Sequence, residues 1–163
     1  MNGLVIEGAD NVGKTTIAKK LAKYFGWTYR HMSKPAPDAE FPAVYLQYIR
    51  GNAVCDRLHV GGFVYGHELG LHPFDPKGAS LMWDVLRNAG YRTIIMFHGS
   101  DSGMEELLDT LPKEEMFSKD IIIRANAIFR RIARSRPYGS IAWDVGEGYP
   151  TPDAIVELLN DIV

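Results

Sequence analysis

Near the start of the chain the run Gly8-Ala9-Asp10-Asn11-Val12-Gly13-Lys14-Thr15-Thr16 reads G-x-x-x-x-G-K-T. Residues of these types at this spacing suit the cradling of phosphate. Gly8 and Gly13 permit positive φ and let backbone amides approach phosphate oxygens closely. A helix that begins at such a loop turns its unpaired N–H groups and the positive end of its dipole towards an anion. Lys14 would reach the β- and γ-phosphates and the Thr15 hydroxyl would ligate Mg2+, with Asn11, Val12 and Thr16 completing the cradle. The flanks agree with this reading. Leu4-Val5-Ile6 is a short apolar β run, and residues 17–25 carry apolar side chains at helical spacing, so the loop lies between a strand and a helix. A nucleoside triphosphate is the expected ligand.

Asp56-Arg57 is the second informative pair, at the end of a short apolar run, Ala53-Val54-Cys55. A carboxylate at such a strand end, downstream of a phosphate loop, can lie near Mg2+ or its water ligands. The guanidinium beside it offers a planar fork that suits a second phosphate. The plainer alternative is a surface ion pair at a strand end.

The elements that must position these residues alternate. Strands are expected at about 3–7, 27–32, 53–55, 93–97 and 140–145. Helices are expected at about 13–25, 40–50, 76–88 and 121–134, with a last one capped by Thr151 and started by Pro152. Residues 61–70 read as a loop and a short helix, and 100–120 as a polar stretch broken by Pro112. This order predicts an α/β protein, a three-layer P-loop NTPase fold with a five-stranded parallel sheet and helices on both faces, built as a single domain over 1–163. Ligands of such sheets bind beyond the carboxyl ends of the strands. The phosphate loop, Asp56-Arg57 and the turn at Gly146 then share one rim.

Composition narrows the partners. The 163 residues are 46% hydrophobic and 23% charged with a formal net charge of −2, which does not favour a nucleic-acid backbone. No apolar run approaches membrane-spanning length, and the single cysteine, Cys55, excludes an intrachain disulfide and fits a reducing compartment, so the expected location is cytoplasmic. His59, His67 and His72 have no metal-ligand spacing. His31 reads as a strand-end histidine satisfied by backbone, Cys55 as a buried strand residue and Trp83 as core.

Glu7 through Thr16 resembles the E-G-x-D-G-x-G-K-[ST]-T signature of thymidylate kinases and their phage-type relatives. Asp56-Arg57 followed by Val64-Tyr65-Gly66 is similar to that family's D-R segment, and Lys34-Pro35 resembles the phage-type deoxynucleotide kinases. The resemblance covers roughly the first 70 residues and the order of the later elements. It implies phosphoryl transfer from ATP-Mg2+ to a deoxynucleoside monophosphate. Lys14 and the loop amides would hold the donor, and Thr15 with Asp56 would serve the metal. Asp10, Lys34, Arg57 and Tyr65 would serve the acceptor, Phe41, Tyr45 and Tyr48 would be its stacking candidates, and Gly146 would lie by the donor base.

The chain departs from the family at Asn11, where the signature has Gly, and at His59-Val60-Gly61-Gly62 after Asp-Arg. The family's lid, expected around 100–124, is poor in arginine here: 102–120 holds only Lys113 and Lys119 among its acidic residues. The arginines lie on the next helix. With Ile121, Ala125, Ile128 and Ile132 as its apolar face, Arg124 and Arg131 fall at the edge and are the lid candidates, against a solvated basic flank. A P-loop kinase for another acceptor (a nucleoside, a modified base, a small metabolite) and a nucleotide-binding switch with little turnover are the alternatives. A homodimer is compatible with either.

Overall fold

β1, Gly3–Gly8, is buried along its whole length, and a strand without a solvent face needs cover on both sides. The computed structural model, which describes residues 1–32, 43–74, 76–111 and 117–160, places β1 at the centre of a five-stranded sheet. With β2 (Thr28–His31), β3 (Ala53–Asp56), β4 (Tyr91–Phe97) and β5 (Ile141–Asp144), the order is β2-β3-β1-β4-β5. All four pairings are parallel. Ile6 stands level with Asp56 on one side and Ile94 on the other, and His31 level with Asp56. The carboxyl ends of β1, β2 and β3 therefore form one rim, the one the alternation predicts.

The helices are α1 (Lys14–Phe25), α2 (Ala43–Leu46), α3 (His59–Gly62, continuing as a π-helical turn over Phe63–Glu68), α4 (Pro76–Asn88), α5 (Asp101–Asp109), α6 (Lys119–Ser135) and α7 (Pro152–Asn160). The period of two along the central strands divides the cover. Leu4, Ile6 and Val54 share a core with Ile17 and Leu21 of α1 and Ile155 of α7. Val5, Ala53 and Cys55 share the other with Tyr45 of α2 and Met82 and Leu86 of α4. Cys55 is fully buried, and burial pushes its thiol up to about 12, which removes the thiolate a nucleophile needs. Among the described residues no helix is long and apolar enough to cross a membrane.

Two expectations are corrected. Part of the polar stretch after β4 is a helix, α5: Ser100 accepts from the Gly103 amide at 3.0 Å as its N-cap, and Met104 and Leu108, one turn apart, are buried. The buried stripe of α6 is Ile122, Ala125, Asn126, Phe129 and Ala133, whereas Ile121, Ile128 and Ile132 only flank the core. The polar Asn126 hid this stripe from a hydrophobicity reading. Its Oδ1 accepts from the His98 amide at 2.8 Å and its Nδ2 donates to the His98 carbonyl at 3.0 Å. Arg130 donates to the Gly99 carbonyl at 3.1 Å and pairs with Asp101 at 3.0 Å. Side chains of α6 thus hold the turn that leaves β4.

Replacing the buried Asn126 removes the partner of the His98 amide and one of the two donors to the His98 carbonyl, the other being Arg130. Asn126→Leu is expected to lower the unfolding free energy by about 2–4 kcal/mol, read as a fall in the urea midpoint at unchanged slope.

Candidate active site

The loop between β1 and α1 turns through three positive-φ residues, Gly8 at 148°, Asn11 at 68° and Gly13 at 81°. At Gly8 a Cβ would collide with the Met96 carbonyl oxygen, and at Gly13 it would come 2.6 Å from the Tyr149 ring. Asn11 takes the left-handed conformation for which the family signature has glycine; among non-glycine residues Asn is one of the most tolerant of it. Gly13 is the N-cap of α1, with no side-chain cap and no acidic residue in the first turn. The helix start therefore offers its amides and its positive dipole end to an anion. Val12 is buried beneath the loop, and Thr15 and Thr16 are exposed above it.

Lys14 is buried. Its Nζ donates to the Ala9 carbonyl and lies 3.7 Å from Asp10 Oδ1. Burial pushes its ammonium down to about 8, against the pull of Asp10 and Asp56. The same Asp10 oxygen accepts from Arg57 Nη2 at 2.7 Å. One carboxylate oxygen therefore joins the lysine of the phosphate loop to the arginine that follows β3.

Arg57 holds a left-handed backbone, φ 71°, which costs a non-glycine residue about 1–3 kcal/mol and persists only when its surroundings impose it. Glu7 imposes it. This fully buried carboxylate accepts from the amides of Leu58 at 3.0 Å, Val60 at 2.8 Å and Gly61 at 3.1 Å, while the Arg57 amide donates to the Ile6 carbonyl at 2.9 Å. Residues 57–61 are thereby pinned to the end of β1. Burial raises the Glu7 carboxyl to about 7, although its three amide donors and Lys14 pull it down.

Asp56 is buried at the end of β3, and its Oδ2 accepts from Thr15 Oγ1 at 2.6 Å, Tyr29 OH at 2.9 Å and His31 Nδ1 at 2.9 Å. Burial alone would raise its pKa, but these three donors and Lys14 hold it below the usual carboxylate range. His31 is satisfied by this carboxylate rather than by backbone, and the role of Tyr29 was not legible from its place in a β-rich run. Asp56 Oδ1 is buried without a hydrogen-bond partner among the described residues. An orphan carboxylate oxygen beside a threonine hydroxyl is the donor set a nucleotide-bound Mg2+ uses directly or through water. No cluster of three or more acidic, histidine or cysteine side chains suited to a metal occurs among the described residues.

Other candidates have different places. Tyr65 turns inward: its hydroxyl accepts from the Asp10 amide at 3.0 Å, and its ring is stacked on Phe117 at 4.9 Å and edge-on to Phe129. It braces the phosphate loop instead of presenting a free face. Tyr45 is a core residue, 2% exposed, because the helix bearing it turns it under the sheet; its ring is not offered for stacking. Tyr48 is half-buried, and its carbonyl accepts from Arg30 at 2.7 Å. Gly146 lies in a tight turn whose amide donates to Asp144 Oδ1 at 2.8 Å. Arg131 pairs with Glu68 at 2.6 Å, and Arg124 is exposed with no ion pair to another described residue. Lys34 and Phe41 lie outside the described residues.

Glu7 gives a pH test. A carboxyl whose folded pKa is raised from 4.5 to about 7 adds stability that is fully present below pH 4.5 and lost as pH rises through 7. The unfolding free energy of the protein minus that of Glu7→Gln should fall by about 3 kcal/mol between pH 4.5 and pH 8. Parallel urea-derived stability curves would contradict the effect of burial on this carboxyl.

No family model matches the chain, and no curated protein matches it. Solved structures do. The YorR protein from Bacillus subtilis, in complex with phosphorylated GDP, superposes with a TM-score of 0.75 at 18% identity, over 98% of this chain and 94% of that one. A gluconokinase from Sinorhizobium meliloti 1021 gives 0.59 at 14%, over 99% and 91%. The deoxyadenosine kinase from M. mycoides with dCMP and dCDP gives 0.54 at 15%, over 99% and 100%. These likenesses, with the sheet order and the phosphate loop described above, identify the chain's fold as the P-loop NTPase fold found in kinases.

Proposed function

We propose that this protein is a phosphotransferase that moves the γ-phosphoryl group of ATP to a deoxynucleoside monophosphate. The observation that carries this reading is the bridge at Asp10, where one carboxylate oxygen meets both Lys14 and Arg57. Two cations held this close suit two phosphates brought end to end, one from each substrate. The loop amides and Lys14 hold the donor phosphates, and Arg57 takes the acceptor phosphate through its planar fork. Thr15 and Asp56 Oδ1 would hold Mg2+, which supplies neutralisation of the charge on the transferring group. No covalent intermediate is needed, since positioning and charge complementarity carry such transfers. The YorR structure contains phosphorylated GDP, which supports a nucleotide in a site of this kind, whereas the deoxyadenosine kinase structure contains dCMP as a product, which supports a nucleoside hydroxyl as acceptor, the second reading below. The thymidylate-kinase-like signature at Glu7 to Thr16 supports a deoxynucleotide.

A hydroxyl acceptor is the second reading. It is favoured by the buried, unpartnered Asp56 Oδ1, which could take a proton from a hydroxyl.

The decisive experiment is ADP release with each deoxynucleoside monophosphate in turn and with the parent nucleosides. Acceptor-dependent ADP release with a monophosphate is expected, and its absence across the panel would sink the main reading. Arg57→Ala is expected to raise the acceptor KM at least about tenfold, the loss of a charge-assisted hydrogen bond to phosphate, with ATP affinity changed little. If acceptor KM does not move, the hydroxyl reading gains. Lys14→Met should lower kcat by about 100-fold or more, measured at saturating ATP.

A further inference from the structure

The phosphate loop has an aromatic neighbour that the proposed transfer does not use. A Cβ on Gly13, the N-cap of α1, would come 2.6 Å from Cε1 of Tyr149, so this ring lies against the loop where the amides of α1 begin. Tyr149 is 51% exposed. It stands between β5 and α7, just beyond a single 3-10 turn over Val145–Glu147. In the sheet order β2-β3-β1-β4-β5, β5 lies on the opposite side of β1 from β3, the strand that delivers Asp56 and Arg57.

That placement decides which substrate meets the ring, on the phosphotransfer reading from which this inference starts. In-line transfer puts the attacking and leaving oxygens on opposite sides of the moving phosphoryl group. An acceptor phosphate on Arg57 lies on the β3 side, so the donor's nucleoside leaves the loop on the β4–β5 side, where Tyr149 stands. A half-exposed aromatic ring beside a phosphate cradle suits stacking on a base.

The turn that carries the ring is braced from within. Asp144 Oδ1 accepts from the amides of Gly99 and Gly146, each at 2.8 Å. The Gly148 amide donates to the Val145 carbonyl at 3.1 Å, and the Gly148 carbonyl accepts from Trp143 Nε1 at 2.8 Å. Pro150, the residue after Tyr149, is buried. The ring is therefore presented on a pre-ordered turn, which lowers the entropy lost on stacking. Both glycine amides of the turn are also engaged. Adenine is told from other bases by its edge, an exocyclic amine beside a ring-nitrogen acceptor, and that edge is read with free hydrogen-bonding groups. A π-face, by contrast, is common to every base. We propose that Tyr149 stacks on the donor's base and that the donor site takes nucleoside triphosphates irrespective of base, ATP among them.

Calorimetric titration of the full chain with the Mg2+ complexes of ATP, GTP, CTP and UTP tests this without any acceptor. The four affinities are expected to agree within about tenfold. Tyr149→Ala should weaken all four by about tenfold or more and change the affinity for tripolyphosphate, which has no base, by less than about twofold. Tyr149→Phe, which keeps the ring, should retain the wild-type values. The proposal is overturned if one of the four binds more than about tenfold tighter than the other three, a result that leaves the phosphotransfer reading intact, or if none binds. It is also overturned if Tyr149→Ala leaves ATP affinity unchanged, or weakens tripolyphosphate as much as ATP, the sign of a ring that only shapes the loop. The wild-type comparison of the four bases stands even if that variant fails to fold.

Discussion

The structure depends on one buried carboxylate. Glu7, at the carboxyl end of the central strand, accepts three amides from the segment that leaves β3. An ionised carboxylate in so dry a place is unfavourable on its own, and the three donors compensate for the lost water. The result is a rigid join between the phosphate loop, which begins at the next residue, and the strained Arg57. Removing Glu7 would leave three amides without partners and Arg57 without the frame that imposes its backbone. Parallel pairing brings β1 and β3 side by side with Ile6 level with Asp56, but pairing alone does not aim a side chain beyond the strand ends. Glu7 does that.

Charge is then arranged around Asp10 and Asp56. Asp10 takes one interaction from each side of the rim, and Asp56 takes three donors on one oxygen while the other is left bare. Lys14 and Arg57 both face Asp10, so without an anion they meet a carboxylate instead of each other. In the proposed reaction, a phosphate would compete with that carboxylate for both cations. Lys14, already lowered by burial, has the more to gain from a second negative neighbour.

Much of this was legible in the sequence, and the reasons are physical. The phosphate loop is encoded locally, since its function needs specific residue types at fixed spacing, and the strand–helix alternation specified the sheet. Asp56-Arg57 was legible because a strand end downstream of such a loop has few places to go. The role of Glu7 was not, because its partners are backbone amides 51 to 54 residues away, and amides carry no residue-type signal. Asn126 misled for the opposite reason: a polar residue on a buried stripe looks like a gap in periodicity until its backbone partners at His98 are known. Tyr65 and Tyr45 kept the ambiguity of every aromatic, which reads alike in core and in pocket. A serine at the N-cap position, Ser100, was the available sign of α5, obscured by the acidic composition that follows.

The arginines of α6 can be ranked by what holds them. Arg130 is 17% exposed at its side chain and makes hydrogen bonds to two backbone carbonyls as well as its pair with Asp101. Moving it would strip those carbonyls of a charged donor and loosen the turn after β4, at about 1.5–3 kcal/mol for each charge-assisted bond. Arg131 is 68% exposed and holds only Glu68 among the described residues. A pair that open is worth about 0–1 kcal/mol, less than a guanidinium gains from a phosphate in a closed site. Arg124 has no ion pair to break among the described residues. Availability therefore runs from Arg124 through Arg131 to Arg130. The arginine closest in appearance to an active-site residue, half-buried and richly bonded, is the one committed to the fold.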